Sequence, residues 1–273
     1  MVPVTTRRRA RFPLVALLLA VGLVAAGGAN AGEGGRGTRP KPLRILVTND
    51  DGVAAPGIAV LVDTLEGEPR VKVTVVAPAG DRSGTGDQTT PGSPDSLTAS
   101  ETTTASGHRA TAVDGFPADT VLYALDRAPR KRPHLVISGV NAGQNLGLIS
   151  DISGTVGAAR TAAREGIPAL AVSQGLGDPP DFPTGVGEAI AWVEEHRKDL
   201  TAGSPGRAPA EVVSLNVPTC TAGKVRRVVE VPLAATTEGA VGAADCTSTL
   251  RGPADDIQAF SNGFVTLTEL PVE

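Results

Sequence analysis

Four short stretches carry side chains able to hold a hard cation together with the oxygens of an anion. They are Asn49-Asp50-Asp51-Gly52, Asp81-Arg82-Ser83-Gly84, Ser138-Gly139-Val140-Asn141 with Asn145 close behind, and Ser153-Gly154-Thr155. Asp50 and Asp51 follow an apolar β-branched run, and two half-buried carboxylates side by side disfavour joint ionisation without a counter-charge. A divalent cation supplies one. Amide oxygen from Asn141 and hydroxyl from Ser83 would complete an open, all-oxygen shell suited to Mg²⁺ or Mn²⁺, one ion per subunit. Zinc fits poorly, because no cysteine lies nearby and His108, His134 and His196 are scattered. Ser153-Gly154-Thr155 opens an Ala-rich helix, so its free N–H groups and hydroxyls have the chemistry of a phosphate site, with Asn49 and Asn145 counted beside it. Simpler readings stand against each stretch alone. An Asx-turn accounts for Asn49 to Gly52, and an ordinary serine N-cap accounts for Ser153.

The elements that must position these groups are legible as apolar runs alternating with helical patterns. Strands are expected at Arg44–Thr48, Val71–Ala77, Leu135–Ser138, Ala169–Ser173 and Glu211–Leu215. Helices are expected at Pro56–Leu65, Ala118–Leu125, Val156–Glu165 and Gly185–Arg197. That alternation predicts an α/β fold, a Rossmann-like three-layer αβα sandwich around a mainly parallel sheet. In such a sheet ligands bind beyond the carboxyl ends of the strands, where all four polar stretches fall. Ser83 to Ser106 is too long and polar for a plain connection and suggests a β-hairpin excursion or a lid. The tail after Val217 has β-like stretches at Val225–Val231 and Phe264–Leu267, predicting a small β-rich C-terminal appendage.

Other chemistries lack their signatures. There is no GxxxxGK[ST], no G-x-S-x-G elbow and no GxGxxG after the first strand, and Asp50-Asp51 has the wrong register for an Asp-x-Asp phosphatase. A net charge of −4 and an aromatic content of 3% argue against a nucleic-acid duplex as partner.

The first residues read as an address. Arg7, Arg8, Arg9 and Arg11 precede an apolar run from Phe12 to Ala26, and Ala29-Asn30-Ala31 resembles a cleavage site. Residues 1–31 are therefore expected to be a signal peptide cut after Ala31, by either the general or the twin-arginine route. Residues 32–42 form a flexible leader and residues 43–273 the functional domain. The mature chain would be extracytoplasmic with no stable membrane partner. Cys220 and Cys246 are the only cysteines, and an exported chain favours their pairing as a disulfide.

Taken in order, these motifs resemble the stationary-phase survival protein (SurE) family of metal-dependent nucleotidases. The likeness rests on RILVTNDDG at Arg44 to Gly52, Pro56-Gly57-Ile58, VVAP at Val75 to Pro78, Arg82-Ser83-Gly84 and FPAD at Phe116 to Asp119. It extends through ISGVNAGQNLG at Ile137 to Gly147, SGTVGAA at Ser153 to Ala159, PALAVS at Pro168 to Ser173, LNVP at Leu215 to Pro218 and GFVTLTEL at Gly263 to Leu270. The resemblance implies a phosphomonoesterase acting on nucleoside 5′- and 3′-monophosphates. It places metal on Asp50, Asp51, Ser83 and Asn141, phosphate at Ser153, Gly154 and Thr155, and allows a homodimer or tetramer. Departures from the family pattern fall at Ala79, Asp87, Ile149 and Ile152, around the substrate more than the metal. The mechanism expected is metal-assisted hydrolysis with Asp50 or Asp51 as base. A non-catalytic exported nucleotide- or phosphate-binding module is the alternative, and a structural calcium loop a third.

Overall fold

The chain adopts a nine-stranded sheet with helices on both faces in the computed structural model, which describes residues 41–203, 205–206 and 210–272. The expected signal peptide and all of the leader before Lys41 lie outside the described residues. Period-two alternation along the first strand, β1 (Leu43–Thr48), sorts its side chains between two layers. Leu43, Ile45 and Val47 pack with Ile58, Leu61, Val62 and Leu65 of α1 (Pro56–Gly67). The same cluster takes in Val186, Ala189 and Val193 of a later helix, Phe182–Ala202. Leu46 points the other way, into a cluster with Val121 and Leu125 of α2 (Pro117–Arg127) and Val156, Ala159 and Ala163 of α3 (Gly154–Arg164). Two apolar layers thus enclose the sheet, and the helix Phe182–Ala202 is α4.

The remaining strands are β2 (Val71–Pro78), β3 (Ala99–Thr103), β4 (Arg109–Val113), β5 (Leu135–Ala142), β6 (Ala169–Gln174), β7 (Val212–Val217), β8 (Arg226–Glu230) and β9 (Phe264–Leu270). Their order is β3-β4-β2-β1-β5-β6-β7-β9-β8. From β4 through β7 every pairing is parallel, while β3 on β4 and β9 on β7 are antiparallel. The chain leaves β1 for β2 on one side and later returns to place β5 on the other. The carboxyl ends of β1 and β5 therefore flank a topological switch point, where an open α/β sheet leaves a crevice.

The five expected strands and four expected helices are present, with ends shifted by up to a few residues. The polar excursion Ser83 to Ser106 holds β3, whose hairpin partner β4 lies just beyond it and joins the main sheet beside β2. Arg109–Val113 is a short Ala- and Thr-bearing segment without a strong apolar run, so it was not expected as a strand. The β-rich C-terminal part is present as β8 and β9, and it extends the edge of the same sheet through β9 on β7. A short helix, α5 (Asp256–Ser261), precedes β9. Cys220 and Cys246 face each other with Cα atoms 5.8 Å apart and sulfurs at bonding distance. Among the described residues no helix is long and apolar enough to cross a membrane.

Candidate functional site

Close loop packing builds the site. After β1 the chain turns through Gly52, whose φ of +100° and whose absent Cβ, which would sit 3.0 Å from the Gly80 carbonyl carbon, both favour glycine. Val53 N–H donates to the Pro78 carbonyl at 2.9 Å and Arg82 N–H to the Asp50 carbonyl at 2.8 Å. The loops that follow β1 and β2 are thereby zipped together, and Asp81 to Ser83 arrive beside the acidic pair.

Asp50 is buried, at 3% exposure. Thr155 donates to it twice, from Oγ1 to Oδ1 at 2.6 Å and from the backbone N–H to Oδ2 at 3.0 Å. The start of α3 approaches this closely because residue 154 is glycine. A Cβ there would lie 2.8 Å from Asp50 Cβ and 3.0 Å from Pro117 Cγ. The positive end of a helix thus faces a carboxylate. Burial nonetheless raises the Asp50 pKa above the ordinary range, against the lowering effect of the Thr155 bonds.

Asp51 joins the other wall. Its Oδ2 accepts a 3.3 Å hydrogen bond from the N–H of Ala142, at the end of β5 and next to Asn141. Burial, then the charge of Asp50, pushes the Asp51 pKa up to about 6, and Asp81 adds a further like charge to both. Among the described residues no Lys, Arg or His forms a salt bridge with either carboxylate. Asn49 is fully buried, gives Nδ2 to the Gly52 carbonyl at 2.9 Å, and leaves Oδ1 without a hydrogen-bond partner.

The other sequence-derived candidates are placed unequally. Ser83 donates both N–H and Oγ to Asp81 Oδ1, at 2.8 and 2.7 Å, which holds the Asp81 carboxyl below its usual range. Asn141 gives Nδ2 to the Gly143 carbonyl at 2.6 Å, so Oδ1 is the atom with lone pairs to offer. Asn145 sits deeper, its Nδ2 on Ser173 Oγ at 2.9 Å and its N–H on Asn216 Oδ1 at 2.7 Å. Ser153 Oγ caps α3 by accepting from Val156 N–H at 3.2 Å. Ser153 and Thr155 were expected to face a phosphate. In the structure Ser153 Oγ accepts the cap bond and keeps its own O–H to donate, while both Thr155 donors go to Asp50. Gly154 stands where close approach demands a glycine.

Sequence reasoning named Asp81 within its stretch without giving it a role, and it missed Asp256. The Asp-x-Ser spacing of an Asx-turn was a signal for the first. Asp256 is buried and accepts from the N–H groups of Gly147, Ala234 and Ile257 at 2.8, 2.8 and 2.9 Å, which no local pattern announces. The positions that depart from the family pattern also have places. Ile149 packs against the cluster of Leu146, Ile257 and Phe260, Ile152 is 60% exposed, Asp87 pairs with Arg164 at 2.6 Å, and Ala79 lines a cavity beside Asp51.

Donor chemistry decides which ion suits the edge. Among the described residues no group of three or more His, Cys, Asp or Glu has metal-holding geometry, so carboxylates alone do not make a cage. One buried and one half-buried carboxylate with raised pKa values, an unpartnered buried amide oxygen at Asn49 and the amide and hydroxyl of Asn141 and Ser83 instead form an oxygen-rich edge. That set fits a hard divalent cation completed by water and substrate oxygen.

Comparison with known proteins agrees with the geometry. Residues 45–239 match the family described as survival protein SurE. The chain is similar to a 5′-nucleotidase SurE of Carboxydothermus hydrogenoformans, 47% identical over 134 residues, covering 49% of this chain and 50% of that protein. It is also similar to a 5′-nucleotidase SurE of Microcystis aeruginosa, 36% identical over 191 residues, 70% of this chain and 68% of that one. The chain spans about half the length of the first of these relatives and just over two thirds of the second. Its fold is similar to the crystal structure of the SurE protein from Aquifex aeolicus, with a TM-score of 0.64 and 25% identity over 84% of this chain and 94% of that one. With the family match covering well over half its length, this chain belongs to the survival protein SurE family.

Proposed function

We propose that the chain is a divalent-metal-dependent phosphomonoesterase that hydrolyses nucleoside 5′- and 3′-monophosphates to nucleoside and phosphate. We further propose that it acts outside the cytoplasm after loss of residues 1–31. The observation that carries the reading is the pair of buried Asp50 and half-buried Asp51, side by side at the switch point with raised pKa values and, among the described residues, no cationic side chain paired to them. Similarity to proteins named 5′-nucleotidase SurE supports the substrate class.

Asp50, Asp51, Ser83 and Asn141 would hold Mg²⁺ or Mn²⁺. When bound, the cation supplies Lewis acidity toward a phosphoryl oxygen and lowers the pKa of water. The chain's own groups do the rest. Thr155 fixes Asp50, so one carboxylate is oriented before substrate arrives. Asp51, more exposed than Asp50, would be the carboxylate that accepts the proton of an attacking water. Asn49 and the Gly154 N–H, the one donor of the first turn of α3 that is in neither the Asp50 contact nor a bond to Ser153, would face the phosphoryl oxygens.

A phosphate-release assay tests this on residues 32–273, with adenosine 5′- and 3′-monophosphates and p-nitrophenyl phosphate, in Mn²⁺, Mg²⁺ or EDTA. Turnover that requires the divalent ion is expected. Nucleotide binding without phosphate release would instead show a non-catalytic module.

A further inference from the structure

Beside the metal loop lies an open cavity of about 600 Å³ that the chemistry above does not use. Asp81, Arg82, Ser83, Thr90, Asp114 and Phe116 line it. Phe116 stands out in a chain so poor in aromatics. Phe182, Phe260 and Phe264 are buried core residues, whereas Phe116 is the one phenylalanine among the described residues that is only half-buried. A core phenylalanine follows from packing; a half-exposed one lining a polar cavity does not.

The wall that carries it is fixed. Asp119, fully buried, accepts from Phe116 N–H at 2.9 Å, from Thr90 N–H at 3.1 Å and from Thr90 Oγ1 at 2.7 Å. One carboxylate thus pins both Phe116 and the loop that carries Thr90, so the cavity is held in shape before anything enters. It also adjoins the acidic pair, because Asp81 and Ser83 line it and Arg82 N–H donates to the Asp50 carbonyl at 2.8 Å. Pro117, the residue after Phe116, brings Cγ within 3.0 Å of the point where a Gly154 Cβ would lie, and that point is 2.8 Å from Asp50 Cβ. Arg82 and Asp114 form a partly exposed 3.2 Å pair on the cavity wall, offering guanidinium donors and carboxylate acceptors together.

We propose that this cavity is the leaving-group subsite, taking the nucleoside of a nucleoside monophosphate with the base against Phe116 and the sugar hydroxyls on Arg82 and Asp114. This rests on the phosphomonoesterase reading and adds to it the groups that select the ester. A flat π-faced base suits a lone aromatic ring, and stacking of this kind tolerates any base. A diol suits a paired donor and acceptor.

The test compares adenosine 5′-monophosphate with β-glycerophosphate, which carries hydroxyls but no base. Phe116→Ala should raise KM for the nucleotide about ten-fold, a change of about 1.4 kcal/mol, and leave kcat unchanged. Turnover of β-glycerophosphate should be unaffected, and Phe116→Trp should restore the nucleotide KM. Equal losses on both substrates, or no loss on the nucleotide, would overturn the subsite. If the wild-type chain turns over neither ester, the phosphomonoesterase reading fails on its own. Calorimetric titration with adenosine then decides the cavity: binding that weakens about ten-fold in Phe116→Ala upholds it, and no binding or equal binding overturns it.

Discussion

Asp51 gives the account its pH dependence. Its pKa in the folded, metal-free chain is about 6, against an ordinary value of 3.8, because it is half-buried beside Asp50. Between these two values the folded state holds a proton that the unfolded state has released. The contribution of Asp51 to stability is therefore largest below pH 3.8, falls as pH rises toward 6, and is constant above that. Metal binds the ionised form, so stabilisation by added Mn²⁺ should grow as pH rises through about 6. Thermal melts of the wild type and Asp51→Asn, in EDTA and in Mn²⁺ across this range, check both signs. A wild-type Mn²⁺ increment that stays flat with pH would contradict the assignment. The acid pair was legible in the sequence because two carboxylates ending an apolar run have no packing reason to be there. The partner of Asp50 was not, since Thr155 lies 105 residues away and its own local pattern reads equally well as a helix start facing an external anion.

Helix α3 shows how an element is positioned for the site rather than for its own stability. Glycine inside a helix ordinarily costs about 1 kcal/mol relative to alanine. At Gly157 the ranking should invert, because a Cβ there would fall 2.0 Å from the Gly86 carbonyl oxygen and 2.3 Å from its carbon. Gly157→Ala should thus lower stability by about 1 kcal/mol or more despite its better helix propensity, read as a lower urea midpoint. A raised midpoint would show that the loop following β2 does not rest on α3. Strands and helices with strong apolar periodicity, such as Val71–Pro78 and Pro56–Gly67, were readable from their residues alone. Strand β4 was not, because Ala110, Ala112 and Val113 reach the core through a short Thr-bearing segment whose burial depends on β2 beside it. The partners of β8 and β9 were hidden for the same reason: pairing across the sheet edge is long-range and leaves no periodic trace.

At the scale of the molecule, the C-terminal part braces the sheet edge that carries the candidate site. Asp256 holds Gly147, the Thr236 carbonyl accepts from Leu148 N–H at 3.1 Å, and Leu146 packs with Ala234, Ile257 and Phe260. The turn that leads into Ser153 is thereby fixed by segments far along the chain. The pairing of Cys220 with Cys246 closes a separation of 26 residues within this part. Breaking it should cost about 3 kcal/mol, measurable as a lower urea midpoint in reductant, with non-reducing mass analysis expected to show no free thiol. The central claim remains that two acidic residues at the β1–β5 switch point are the catalytic cation site. The most direct measurement is phosphate release from adenosine 5′-monophosphate in Mn²⁺ by the wild type and by Asp51→Asn, with circular dichroism verifying the fold of each. Metal-dependent turnover in the wild type and its loss in a folded Asp51→Asn variant are predicted. Retained turnover in that variant would contradict the account.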